Sequence, residues 1–296
     1  MKFYNRESEL ALLDRIENRS VDTAQMTFVV GRRRIGKTSL LIKATEKQNM
    51  LYFFIAKKSE ILLCAEFTEQ LKDRLQIPLF GEIKSFKELF GFIMDLSKNR
   101  HFTLFIDEFQ EFYSVNPAVF SDMQNIWDSN KQDSKLNLIL CGSVYSLMAK
   151  IFENSKEPLF GRATHRLHLK GFDLATLKSI LNDYSPQYSS EDLLAFYLFT
   201  GGVAKYVELF VQARAFSLSD MLHLILNENS LFLDEGKHVL IEEFGKEYGN
   251  YFSILSLIAS GKTARVEIES IMEIQTGGFL DLLEKDFGLI KKVRPI

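Results

Sequence analysis

The chain has 296 residues, 46% of them hydrophobic and 25% charged, which excludes a disordered or fibrous protein and leaves ample material for a buried core. Thirty-six basic against 39 acidic residues give a formal charge of -3, without the basic footprint of a dedicated nucleic-acid binder. The two cysteines, Cys64 and Cys141, lie in apolar runs without metal-ligand spacing, and no apolar stretch is long enough to span a bilayer. With no signal-like core at the N-terminus, the chain is expected in the cytoplasm with reduced thiols and no membrane. The 26 phenylalanines are spread along the chain and read as core.

Residues 6–19 place Leu10, Leu13 and Ile16 at helical spacing. Met26 to Val30 is a short apolar run rich in strand formers, and Ser39 to Lys47 reads as a helix. Between them lies Gly31-Arg32-Arg33-Arg34-Ile35-Gly36-Lys37-Thr38, a complete G-x-x-x-x-G-K-[ST] motif continued by Ser39. In that setting the loop's amides and the helix N-terminus cradle a polyphosphate, Lys37 reaches the β- and γ-phosphates, and Thr38 ligates Mg²⁺.

A second strand is expected over 51–56, helices near 59–76 and 85–98, and a third strand over 102–107. That strand ends in Asp107-Glu108. Asp107 is placed to hold Mg²⁺ and Glu108 to act as general base on a water aimed at the γ-phosphate. A strand between the phosphate loop and the acidic pair is the pattern of the additional-strand ATPases. A helix near 117–129 follows, then a fourth strand over 136–141. Ser143 beyond it suits either a γ-phosphate contact or a helix cap. Asn130-Lys131-Gln132-Asp133 matches the guanine-reading N-K-x-D, but it precedes a strand instead of ending one, and Asp107-Glu108-Phe109-Gln110 lacks the glycine of a GTPase D-x-x-G. It reads as a solvated turn. Arg162 precedes a fifth strand over 164–169 and is a candidate finger for the γ-phosphate, in cis or across a contact between subunits.

Strands alternating with helices predict an α/β fold with a parallel sheet. Beyond Gly171 the pattern is helical, near 173–183, 190–200, 203–214, 217–227 and 231–246. Residues 248–296 read as three helices and then a strand over 289–293.

With these residues in place, the chain resembles the prokaryotic archaeal-type ATPase family within the STAND branch of the P-loop ATPases. The resemblance spans nearly the whole chain. It rests on Phe3 to Leu10, Gly31 to Thr38, Phe105 to Glu108, Pro158 to Arg162 and Gly201 to Tyr206. It implies a sheet in 5-1-4-3-2 order, a helical lid and a C-terminal winged-helix module, with divisions at 1–171, 172–246 and 247–296. It also implies ATP and Mg²⁺ as ligands, slow switch-like hydrolysis, and Asn5, Arg6 and Glu7 over the adenine and ribose. The lid's family Gly-x-Pro element stands here as Gly202-Val203-Ala204, without the proline. Family members continue past this point, so the chain is expected to stop in mid-wing at Ile296. The alternative reading is a nucleotide-gated DNA-binding module of a defence or mobile-element system. The expected recognition helix near 276–287 carries Asp281, Glu284 and Asp286 against Lys285, which disfavours DNA. A protein partner and oligomer formation are compatible with the family.

Overall fold

A computed structural model describes residues 1–46, 50–78, 81–228, 230, 232, 241, 244–285 and 289–293. Its centre is a five-stranded parallel sheet in the order β2-β3-β4-β1-β5. The strands are β1 (Gln25–Val30), β2 (Met50–Phe54), β3 (Phe102–Asp107), β4 (Leu136–Cys141) and β5 (His165–His168). Read from the other edge, this is the 5-1-4-3-2 order.

The three inner strands are buried along their whole length, as continuous apolar runs covered on both faces should be. The edge strands β2 and β5 alternate instead. Met26, Phe28, Leu104, Ile106, Leu138 and Leu140 point to one face. There they meet α3 (Glu60–Leu75), α4 (Phe86–Asn99), α6 (Ala118–Asn130) and α7 (Tyr145–Glu153). Helix α4 shows why: Phe86, Leu89, Phe90, Ile93 and Met94 form one apolar stripe, and Ser85 caps its N-terminus by accepting from Glu88 N. Val29, Phe105, Ile139 and Cys141 point to the other face, against α1 (Glu7–Ser20) and α2 (Lys37–Ala44).

A short 3₁₀ turn (Phe109–Glu111) and the one-turn helix α5 (Phe112–Val115) follow β3. The helices α8 (Leu174–Tyr184), α9 (Ser190–Thr200), α10 (Ala204–Ala213) and α11 (Leu218–Leu226) share a separate apolar cluster built on Phe196, Phe210 and Leu181. Most of the helix expected over 231–246 falls outside the described residues.

At the C-terminal end α12 (Tyr248–Ala259), α13 (Arg265–Met272) and α14 (Gly277–Lys285) pack around Tyr251, Ile254, Ile268 and Leu283. The expectation of a strand over 289–293 is corrected: these residues form none. Leu289 N and Ile290 N both turn back to the carbonyl of Leu283, so the segment is taken up by the end of α14 and pairs with no strand among the described residues. A winged-helix module is therefore not established; Asp286, Phe287 and residues 294–296 lie outside the described residues. Among the described residues no single helix is long and apolar enough to cross a membrane.

Candidate functional site

All five strands run the same way, so their C-terminal ends meet at one edge of the sheet. β1 ends there in the glycine loop, β3 in the acidic pair, and β4 in Gly142-Ser143. The loop needs glycine at its entrance: a Cβ on Gly31 would lie 2.6 Å from the carbonyl oxygen of Leu169. Gly36, with φ +96°, turns the chain into α2. Arg34 takes a left-handed conformation (φ 63°) and its carbonyl accepts from Lys205 N at 3.2 Å, tying the loop to the start of α10.

Lys37 is 7% exposed, and its ammonium donates to the carbonyls of Gly31 (2.8 Å) and Arg32 (3.1 Å). Thr38, in the first turn of α2, donates through Oγ1 to Asp107 Oδ2 at 3.0 Å. Asp107 is 6% exposed. The same oxygen accepts from the Tyr52 hydroxyl at 3.0 Å, and Oδ1 accepts from Glu108 N at 3.0 Å. Burial, with the Asp107 charge beside it, pushes the Tyr52 phenol well above its ordinary pKa, so it stays a donor. Burial likewise raises the Cys141 thiol beneath the acids.

Glu108 is left-handed (φ 54°). Its Oε2 accepts from Gln110 Nε2 (2.5 Å), Ser143 Oγ (2.7 Å) and Ser143 N (3.4 Å). Among the described residues no group of three or more His, Cys, Asp or Glu could hold a metal. A Mg²⁺ ion fits the donors that are present all the same. Mg²⁺ in nucleotide sites is generally bound through one or two protein oxygens, with substrate phosphates and water supplying the rest, and Thr38 Oγ1 and Asp107 Oδ2 would be the protein oxygens here, 3.0 Å apart and both on residues that line the cavity.

Above these groups opens a cavity of about 590 Å³, within the range of small-molecule sites. Arg33 to Ser39, Asp107, Glu108 and Ser143 line it. Met1 to Tyr4, Arg6, Phe172, Ala204 to Tyr206, Glu208, Leu209 and Phe232 complete the lining. Arg6 lies over the Phe172 ring (5.1 Å to its centroid), paired to Glu9 and donating to the carbonyl of Lys170. The N-terminal segment is pinned to α8: Tyr4 and Lys2 both bond Asp183.

The cavity thus gathers Arg33, Arg34, Ile35, Gly36, Lys37, Thr38, Ser39, Asp107, Glu108, Ser143 and Arg6. Gly31 and Arg32 stand behind the wall and serve Lys37 through their carbonyls. Asn5 does not line the cavity either. Its amide donates to Thr176 Oγ1 at 2.6 Å and its Oδ1 accepts from Arg6 N, so it anchors the wall. Glu7 is exposed, outside the lining.

Arg162 is elsewhere. It precedes β5, and Thr164 beside it bonds Met26 at the start of β1, so it sits at the edge of the sheet opposite the glycine loop. Its guanidinium pairs with Asp128 at 3.2 Å and bonds the carbonyl of Phe160. A finger reaching the cavity of its own chain is thereby corrected. Asn130 to Asp133 lie at that far edge too, as a turn closed by Asp133 N on the carbonyl of Asn130. Tyr52, Gln110 and Phe172 are not among the expected site residues, and of these only Gln110 carried a local signal, two residues beyond Glu108. Lys205 and Tyr206 end the Gly201 to Tyr206 run that carries the resemblance, but neither was expected individually at the site.

The sheet order, the glycine loop at the end of β1 and the acids at the end of β3 define a P-loop ATPase fold. A family model described as an ATPase domain predominantly from Archaea matches residues 3–210, and the chain belongs to that family. An uncharacterised protein of Methanocaldococcus jannaschii is 27% identical over 300 residues. The match covers 99% of this chain and 63% of that relative, so the chain spans less than two thirds of its length. Among solved structures, a Walker-type ATPase of Pyrococcus abyssi superimposes with a TM-score of 0.67 at 19% identity, covering 96% of this chain and 90% of the other. The ORC2 protein of Aeropyrum pernix, solved with ADPNP and ADP, gives 0.57 at 13% identity, covering 99% and 83%.

Proposed function

We propose that this chain binds ATP with Mg²⁺, hydrolyses it, and uses the cycle as a conformational switch between the α/β core and the helices that follow. One observation carries the reading: Lys37, Thr38, Asp107, Glu108 and Ser143 line a single cavity that Arg6, Phe172, Lys205 and Tyr206 also line. In this reading the loop amides and Lys37 hold the β- and γ-phosphates, and Phe172 with Tyr206 borders the base. Thr38 and Asp107 hold the Mg²⁺, which neutralises charge on the phosphate oxygens. Glu108 takes a proton from the attacking water, and Ser143, whose hydroxyl and backbone N–H both donate to Glu108 Oε2, holds that base in place.

The switch follows from the walls belonging to different parts of the chain. Lys205 and Tyr206 begin α10, and Lys205 N already bonds the loop carbonyl of Arg34. A ligand that contacts both walls favours the closed arrangement by its differential affinity for it. We assign residues 1–171 to the core, 172–246 to the lid and 247–296 to a third, helical unit. Arg162 has a part in catalysis only across a contact between copies. The buried free thiols of Cys64 and Cys141 support a reducing compartment, the cytoplasm.

Isothermal titration and a phosphate-release assay test the reading. Lys37→Ala is expected to abolish ATP and ADP binding. Glu108→Gln should retain binding while turnover falls by about 10²- to 10⁴-fold. Turnover by Glu108→Gln at the parent rate would remove the base assignment, and no nucleotide binding by the parent chain would remove the whole reading.

A further inference from the structure

Gln110 is an expensive residue to keep where it is. It lies in the 3₁₀ turn after β3, 1% exposed. Its Nε2 donates to Glu108 Oε2 at 2.5 Å, yet its Oε1 is buried without a hydrogen-bond partner among the described residues. A desolvated amide oxygen with no donor carries a penalty comparable to a lost hydrogen bond. The fold also reserves space for it. A Cβ on Gly142, at the end of the neighbouring strand β4, would collide with Gln110 Oε1 and with Met148. An apolar side chain of the same size would fill this position without an orphaned atom.

What the arrangement achieves is visible on Glu108. Gln110 and both donors of Ser143 converge on Oε2, while Oε1 accepts no hydrogen bond among the described residues. One oxygen of the carboxylate is fixed and the other stays open on a group that lines the cavity. We propose that Gln110 is a positioning residue for Glu108: with Ser143 it anchors Oε2 so that Oε1 is aimed at the attacking water, and Gly142 is the seat that admits it. The proposal rests on the hydrolytic reading above and adds to it the group that fixes the geometry of the base.

Gln110→Met keeps the volume and removes both the donor and the orphaned oxygen. Its expected signature is kcat lowered about 10- to 100-fold with KM for ATP and nucleotide affinity unchanged, and a melting temperature equal to or above the parent's. In a double-mutant cycle, Gln110→Met should add nothing once Glu108→Gln is present. Gly142→Ala, which displaces Gln110 from the other side, should lower kcat in the same way. Melting below the parent's with kcat intact would make Gln110 a packing residue and overturn the proposal, as would a fully additive cycle. These results differ from failure of the parent reading: a chain that binds no nucleotide or never hydrolyses it overturns both, whereas steady hydrolysis that Gln110→Met leaves unchanged overturns Gln110 alone.

Discussion

Tyr52 shows how much of a site can hang on one hydroxyl. Asp107 offers a single oxygen to both Thr38 and Tyr52, each at 3.0 Å, and the Tyr52 ring is held against Phe105 with centroids 5.0 Å apart. Tyr52→Phe keeps the ring packing but removes a hydrogen bond that orients the Asp107 carboxylate, and loss of a partner that holds a metal ligand in place weakens metal binding. It should raise the Mg²⁺ concentration needed for half-maximal binding of a fluorescent ATP analogue several-fold while leaving binding in EDTA unchanged; equal Mg²⁺ titrations would show that the hydroxyl has no such role. Lys37, Thr38 and Asp107 were legible in the sequence because each sits in a local pattern whose geometry is set within a few residues. Tyr52 was not, because its contact exists only when β2 lies beside β3, with Tyr52 opposite Phe105. Arg162 is the reverse case. It had a local pattern, but parallel strands all begin at one edge, so a residue before β5 lands a strand's length from the loop. That geometric rule was available from the sequence and would have kept Arg162 out of its own chain's cavity.

At the scale of elements, the helix ends carry the strongest local chemistry. Asp173 caps α8, accepting from Thr176 Oγ1 (2.6 Å) and Thr176 N (2.8 Å), and Thr176 in turn accepts from Asn5. The Thr176 hydroxyl and backbone N–H hold the Asp173 carboxyl below the usual carboxylate range. A carboxyl lowered in the folded state stabilises fully above its unfolded pKa, and that contribution is lost as pH falls through the folded one. Asp173→Ala should therefore cost about 1 kcal/mol at pH 7 in urea denaturation. The difference from the parent should shrink below about pH 4. A difference independent of pH would mean that the charge of the cap contributes nothing. Strand and helix positions were largely readable because burial imposes the periods: β3 and β4 were expected at the bounds they adopt. The segment 289–293 was misread because an apolar pair beside lysines looks like an edge strand, while strand formation needs a partner, and Leu283 supplied another acceptor.

For the whole molecule, the C-terminal unit bears on what the chain can contact. Two of its cations are matched: Lys262 pairs with Glu267 at 2.8 Å and Arg265 with Glu269 at 2.9 Å. Asp281 is exposed on α14, and Glu284 caps Lys292 N. DNA affinity scales with the number of phosphates neutralised, so a gel shift at low and moderate salt, with and without ATP, should show no salt-sensitive complex. A shift that disappears as salt rises would restore the DNA-binding alternative. By itself the sequence determined the class of sheet, the phosphate loop and the acids facing it, because each is encoded in a short run whose backbone geometry depends on its own residues. Only the tertiary structure decided which side chains surround that loop. Tyr52 and Gln110 reach the acids, Phe172 and Tyr206 close the cavity, and Arg162 is carried to the far edge, because those placements come from strand order and helix packing between residues far apart in the chain.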